Sequence, residues 1–287
     1  MAMRLAIIDG DGALYRAAWN VENSEEAIEK YLDIVQGYAA EMWCDKSIIF
    51  VGGKGNWRYD IFDGYKFSRK GEMTDKQIQE KQWRDDIVKF LVDNKLAIAS
   101  DGCEADDLVR RKAHKCRDRG IDYVVISADK DLDMVMGEHM RPNNQTGDYT
   151  HYSITDEESD YNYFKQILIG DMSDSIKSPA KLGPKTAEKL LANTSHKNWR
   201  KMVEQEYQER CGSEWLHALY FTGSLVHIQR HQGDMFNWNK KGTWFDLGFE
   251  GPPSCYDYSS LKGYKEVVDG KDNGSSSVST SGSTEAA

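Results

Sequence analysis

The chain has 287 residues, 39% of them apolar, five cysteines and a formal net charge of −10. No apolar run is long enough to cross a bilayer, and the opening "MAMRLAIIDG" enters a strand pattern without a cleavage signal. Five scattered cysteines without a CxxC pair argue against zinc and for reduced thiols in a cytoplasmic setting. The acidic total argues against a nucleic-acid partner only if acids and bases are mixed; acids gathered as metal ligands, with lysines elsewhere, give the same sum.

The length suits one large domain or two modest ones. "RLAII" (4–8) is a short apolar run ending in Asp-Gly, the profile of a buried parallel strand. From Ser24 to Trp43 apolar residues recur every three or four positions, which predicts a helix capped by Asn23 or Ser24. "SIIFV" (47–51) reads as a second strand closed by Gly52-Gly53. A charged stretch runs from Lys54 to about Lys81, followed by a helix in "WRDDIVKFLVDN". "LAIAS" (96–100) and "DYVVIS" (122–127) are further strands, with the helix "EADDLVRRKAHKCRDR" between them. The alternation predicts an α/β fold with a mostly parallel central sheet flanked by helices. After about residue 155 the pattern turns helical, and "DGKDNGSSSVSTSGSTEAA" has the composition of a disordered tail. The expected division is a core over 1–155, a helical region over 156–240, a packing segment over 241–268 and a tail over 269–287.

In sheets of this kind, sites form beyond the carboxyl ends of the strands. Acids collect at that edge: Asp9 after the first strand; Glu104, Asp106 and Asp107 opening a helix; Asp129 and Asp131 in "SADKDLD"; Asp171 and Asp174 in "GDMSD". Taken singly, each has an ordinary explanation. Acids in a first helical turn complement the macrodipole, and Asp-Gly after a strand usually marks a turn. Four such groups at one predicted edge are harder to dismiss. Oxygen ligands without His or Cys suit Mg²⁺ or Mn²⁺. Two such ions about 4 Å apart are a recurrent device for cleaving phosphodiesters.

"IIDGDGALYRA", "GCEADDLV", "SADKDLD", "GDMSDSI" and "LGPKTAEKLL" stand in the order found in structure-specific 5′ nucleases, the flap endonucleases and phage-type 5′–3′ exonucleases. The resemblance covers about residues 4–195 and extends to "NWR" (56–58) and "YKFSRK" (65–70), similar to that family's arch-entry segment. It implies a PIN-like nuclease core with an arch-like segment over about 54–95 and a helix–three-turn–helix DNA-binding region. It implies two Mg²⁺ ions, replaceable by Mn²⁺. Asp9, Glu104 and Asp106 would serve the first, with Asp107 beside it; Asp129, Asp131, Asp171 and Asp174 would serve the second. Lys66 and Arg69 would contact the scissile phosphate from the base of the arch. Arg58, Tyr65, Lys177, Lys181, Gly183, Lys185, Thr186 and Lys189 would meet DNA. A K⁺ ion in the helix–three-turn–helix loop is a further implication, but the family's second loop glycine is replaced by Ala180-Lys181.

Independently of the resemblance, Gly183 permits a tight turn, Pro184 suits a first helical position, and amides at a helix start bind phosphate. The lysines at 177, 181, 185 and 189 recur every four residues. Spaced lysines are often only a solvated face; the Gly-Pro turn favours sequence-independent backbone contact. One departure stands out. The family carries an acid after its second strand, where this chain has Gly52-Gly53; Asp11 is a candidate replacement. His227 and His231 lack a third partner and read as structural or exposed. Trp238, Trp244, Phe245 and Phe249 read as packing on the helical region. The function expected is a divalent-metal-dependent 5′ nuclease acting, as a monomer, on DNA ends, flaps, nicked or branched duplex or the RNA of hybrids in replication. A PIN-type ribonuclease and a catalytically weak DNA-end-binding protein are the alternatives.

Overall fold

The computed structural model describes residues 3–69, 71–143 and 145–257. The expected tail, and residues 258–268 of the expected packing segment, lie outside them. The elements in order are β1 (Arg4–Asp9), α1 (Asp11–Ala18), α2 (Ser24–Glu41), β2 (Lys46–Lys54), α3 (Arg58–Ile61), α4 (Asp75–Asp93), β3 (Ala97–Asp101), α5 (Ala105–Asp118), β4 (Asp122–Ile126), β5 (Gly137–Pro142), β6 (Tyr149–Ile154) and α6 (Asp156–Ile169). They continue with the short strands β7 (Gly170–Asp171) and β8 (Ile176–Lys177), then α7 (Pro184–Ala192), α8 (Trp199–Cys211) and α9 (Trp215–Leu225).

The main sheet has the order β3-β2-β1-β4-β5-β6. Its first five strands are parallel, and β6 closes the edge antiparallel to β5. Successive side chains of a strand point to opposite faces. Ala6, Ile8, Val124 and Ile126 therefore join α1, α2 and α4 on one face, while Leu5, Ile7, Tyr123 and Val125 join α5 on the other. Burial on both faces is why β1 and β4 read as unbroken apolar runs. The chain runs outward from β1 through β2 to β3, then returns to place β4 on β1's other side. That reversal opens a crevice at the carboxyl ends of β1 and β4.

A third cluster holds α6 to α9. Leu168, Ile176, Leu191, Tyr207, Leu219 and Phe221 are buried there with Trp238 and Trp244. Phe249 packs partly against it, whereas Phe245 is half exposed, contrary to its expected packing role. Cys211 and Cys255, far apart in sequence, meet here as thiols; burial and the neighbouring thiol push Cys211 up to about 12.

Several boundaries move. The Asp-Gly-Asp-Gly expected as a turn starts α1 at Asp11. Strand β2 continues through Gly52 and Gly53 to Lys54. The helix expected from Trp83 begins eight residues earlier, capped by Thr74 and Gln77 in a reciprocal box. The segment expected as an arch divides in two. Ile61, Phe62 and Tyr65 are buried in the helical cluster, while α4 crosses over the sheet with Ile87 and Leu91 in its core. Only the exposed first half of α4 stands clear.

Candidate active site

Asp9 ends β1 with its side chain buried at the crevice. Its Oδ2 accepts from Ser127 Oγ at 2.6 Å and its Oδ1 from the Asp11 amide at 3.2 Å. Ser127 Oγ in turn accepts from the Asp129 amide, so the ends of β1 and β4 are tied together. A cavity of about 510 Å³ opens here, lined by Asp9, Asp11, Glu104, Asp106, Asp129 and Asp174, with Lys66 and Arg69 at its rim. Burial, then the charges of Asp11 and Asp129, push Asp9 up to about 7. Burial, then Asp9, Asp129 and Glu104, push Asp106 well above the usual carboxylate range. This is the signature of acids crowded together, with the nearby charge of Lys66 only partly offsetting their repulsion.

The second group is balanced differently. The hairpin of β7 and β8 turns through Met172–Asp174 and presents Asp171 and Asp174. Asp171 and Asp131 lie side by side, joined by a side-chain hydrogen bond. Burial and that hydrogen bond push Asp131 up to about 8; Asp171, despite burial, is held at about 2 by Asp131, Ser173 and Lys130. Lys130 Nζ lies 2.8 Å from Asp131 and 3.5 Å from Asp171. Asp174 accepts from Tyr65 Oη at 2.8 Å and pairs with Arg69 and, at 3.7 Å, with Lys66. Lys66 also pairs with Glu104, and these acids keep it charged against the cost of burial. A void of about 20 Å³ lined by Glu104, Asp106, Asp131, Asp171 and Asp174 joins the two groups. From Asp131 and Asp171 a groove of about 790 Å³ leads past Lys165, Lys177 and Lys181 to Gly183 and Pro184.

Three expected roles are corrected. Asp107 is not open to a metal. It is fully buried, and both oxygens are occupied by Arg58 (2.9 and 3.1 Å) and by the amides of Glu104 and Gln229. Burial would raise Asp107, but Arg58 overrides it and holds the carboxyl low. Arg58, 2% exposed, is not open to DNA: it bonds Asp107 and the carbonyls of Leu225 and His227, pinning the last turn of α9 to α5. Tyr65, 1% exposed, supports Asp174 and Glu104 from beneath. Lys177, partly exposed along the groove, is paired with Asp257 and stays a candidate DNA contact. The remaining basic positions, Lys181, Lys185 and Lys189, are exposed with Gly183 and Thr186 on the loop and the outer face of α7. Gly183 does not supply the turn. Its φ is −82°, and the left-handed residue is Lys181 at 54°.

Sequence reasoning missed Lys130 and Ser127, although both lie within the stretch singled out for its acids. Lysine beside aspartate reads as solvated charge until β7 is folded against it. Among the described residues, no three His, Cys, Asp or Glu side chains stand close enough together, as placed, to hold a metal. The all-oxygen donor set lining the cavity is chemically suited to a hard divalent ion.

A parallel sheet with carboxylates at its carboxyl edge and a helical region beside them defines a PIN-like 5′ nuclease fold. Residues 4–163 match the 5′–3′ exonuclease N-terminal resolvase-like domain. The chain belongs to the 5′–3′ exonuclease family. A 5′–3′ exonuclease of Buchnera aphidicola subsp. Schizaphis graminum is 29% identical over 206 residues, 67% of this chain and 71% of that one. DNA polymerase I of Bacillus caldotenax is 28% identical over 213 residues, 67% of this chain but 23% of the polymerase. In fold, the chain resembles the bacteriophage T5 flap endonuclease in complex with DNA and metal ions, with a TM-score of 0.63 and 18% identity over 78% of this chain and 89% of that one. A T5 5′-exonuclease with bound divalent metal ions gives 0.56 at 18% identity, with the same coverage. Among the described residues, no helix is long and apolar enough to cross a membrane.

Proposed function

We propose that the protein hydrolyses DNA phosphodiesters at 5′ ends or flaps, as a monomer, with two Mg²⁺ ions that Mn²⁺ can replace. The carrying observation is that carboxylates from five separate segments meet at one crevice, and two of them, Asp9 and Asp106, form no ion pair among the described residues. Asp9, Glu104, Asp106 and Asp129 would hold one ion, and Asp131, Asp171 and Asp174 the other. Bound there, such ions lower the pKa of attacking water and screen the leaving oxygen. Lys66, held by Glu104 and Asp174, stands ready to meet a phosphate oxygen as charge develops. Arg69 does the same from the exposed side. Lys181, Lys185, Thr186 and Lys189, with the amides opening α7, hold the duplex backbone without reading sequence.

The test uses a 5′-labelled flap, a nicked duplex and single-stranded RNA, each with Mg²⁺ or EDTA. Cleavage of the flap or nicked duplex with Mg²⁺ alone is expected. Cleavage confined to RNA would favour a PIN-type ribonuclease. Tight end binding without cleavage of any substrate in Mg²⁺ would leave only a DNA-end-binding scaffold.

A further inference from the structure

Of the four strands β3-β2-β1-β4 that reach the crevice, three are followed by acids that line it: Asp9 after β1, Glu104 and Asp106 after β3, Asp129 after β4. Strand β2, lying between β1 and β3, contributes only Gly52 and Gly53. Neither glycine is incidental. A Cβ on Gly53 would stand 1.8 Å from the Ser100 carbonyl oxygen, so β3 approaches too closely for any side chain there. A Cβ on Gly52 would meet Asp11 Oδ2 at 3.0 Å. The space beside Gly52 is therefore filled by the carboxylate of Asp11, anchored by the Gly52 amide, which donates to Oδ1 at 2.8 Å.

Asp11 opens α1, where an acid ordinarily complements the dipole. Its side chain does something else. It reaches across to β2 and lines the same cavity as Asp9, Glu104 and Asp106. Carboxylates brought to one cavity repel one another unless a cation sits between them.

We propose that Asp11 is a ligand of the divalent ion at the ends of β1 and β2, occupying the position that an acidic side chain on β2 would otherwise fill. This rests on the metal-dependent reading above. It also makes Gly52 and Asp11 interdependent: one position can carry the acid, but not both.

The experiment is a Mn²⁺ titration of the DNA-free protein, followed by calorimetry and by the electron paramagnetic resonance signal of free Mn²⁺. Asp11→Asn keeps an acceptor for the Gly52 amide and removes only the charge; it should weaken Mn²⁺ binding by about tenfold or more. Asp11→Ala should do the same. Gly52→Asp alone should not tighten binding, because its side chain meets Asp11. The double variant Asp11→Ala/Gly52→Asp should bind Mn²⁺ more tightly than Asp11→Ala. Parental affinity in Asp11→Asn, or no recovery in a folded double variant, overturns the proposal. Asp106→Asn is the control. If it loses Mn²⁺ while Asp11→Asn does not, only the assignment of Asp11 has failed. If both bind Mn²⁺ like the parent, the metal-dependent reading has failed as well.

Discussion

Asp9, Asp11, Asp106 and Asp129 face one another, and among the described residues no ion pair reaches them. Glu104, Asp131 and Asp174, a few ångströms away, each have a cation of the protein's own: Lys66, Lys130 and Arg69. Asp171 sits between Asp131 and Lys130. The same side-chain chemistry is left unneutralised in one group and neutralised in the other. The difference teaches where an external cation is needed most. On the proposed two-metal reading the first group depends on an external ion for its counter-charge, whereas in the second Lys66 and Arg69 would pass from carboxylate to phosphate as substrate binds.

Asp106→Asn should break the first group. Losing a charge that positions the ion should cost several kcal/mol of transition-state stabilisation, hence roughly a thousandfold or more in single-turnover rate at saturating Mg²⁺. Duplex affinity should hold. Near-parental turnover would mean that the crowded acids are not the metal site.

The neighbouring residue sharpens the contrast. Asp107→Asn leaves Arg58 buried with its bidentate partner gone, which should cost about 3–5 kcal/mol of stability. A large fall in unfolding midpoint for Asp107→Asn, with little change for Asp106→Asn, is expected in chemical denaturation. Equal midpoints would show that the buried pair is not what ties α3 and α5 to the end of α9.

These two residues also mark what was legible in the sequence. Apolar runs gave β1 to β4; in β1 and β4 burial on both faces leaves no other pattern. The strands β5 and β6 were missed: "GEHMRP" and "YTHYSI" carry polar residues that an edge hairpin tolerates. The spacing of acids located the crevice but could not separate Asp106 from Asp107. That distinction depends on Arg58, 49 residues away, arriving beneath one of them. Arg58 and Tyr65 looked like DNA contacts for the same reason; a basic or aromatic residue in a charged stretch gives no sign that a distant cluster will cover it. Gly52 and Gly53 read as a strand end, yet the chain continues because β3 lies close enough to exclude side chains.

Lys66→Ala tests whether the second group's cations take part in chemistry. The expected loss is about a hundredfold in single-turnover rate, typical of one preorganised donor to a developing charge. DNA affinity should change far less. If affinity falls while the rate constant holds, Lys66 only binds.

Asp9→Asn reads the crowding itself, without substrate. In the metal-free protein Asp9 holds its proton up to about 7, while in the unfolded chain it ionises near 3.8. Between those values the folded state binds more protons, so this residue's contribution to stability falls as pH rises through the window and is flat above it. Asparagine keeps an acceptor for Ser127 and removes the charge. The variant should therefore match the parent near pH 4 and melt a few degrees higher near pH 8, on the order of 1 kcal/mol. Mg²⁺ should narrow that gap in the parent's favour. A variant less stable than the parent at pH 8 without metal would mean the first group is not under strain.

The smallest effect is expected farthest from both groups, where lysine rather than metal meets phosphate. Lys185 is exposed in the first turn of α7, with no ion pair among the described residues, and its neighbours Thr186 and Lys189 face the same way out. A phosphate held there releases one condensed counterion. Lys185→Ala should then reduce the slope of log affinity against log salt by about one, with a loss of only several-fold at moderate salt. Because a backbone contact carries no sequence information, the loss should be the same on duplexes of different sequence. Cleavage of bound substrate should be untouched, since neither carboxylate group is altered. An unchanged slope would make this lysine solvated surface and move the duplex track elsewhere. A normal slope with a slower bound-state rate would mean instead that α7 positions the scissile phosphate, and the separation between holding DNA and cutting it would not stand.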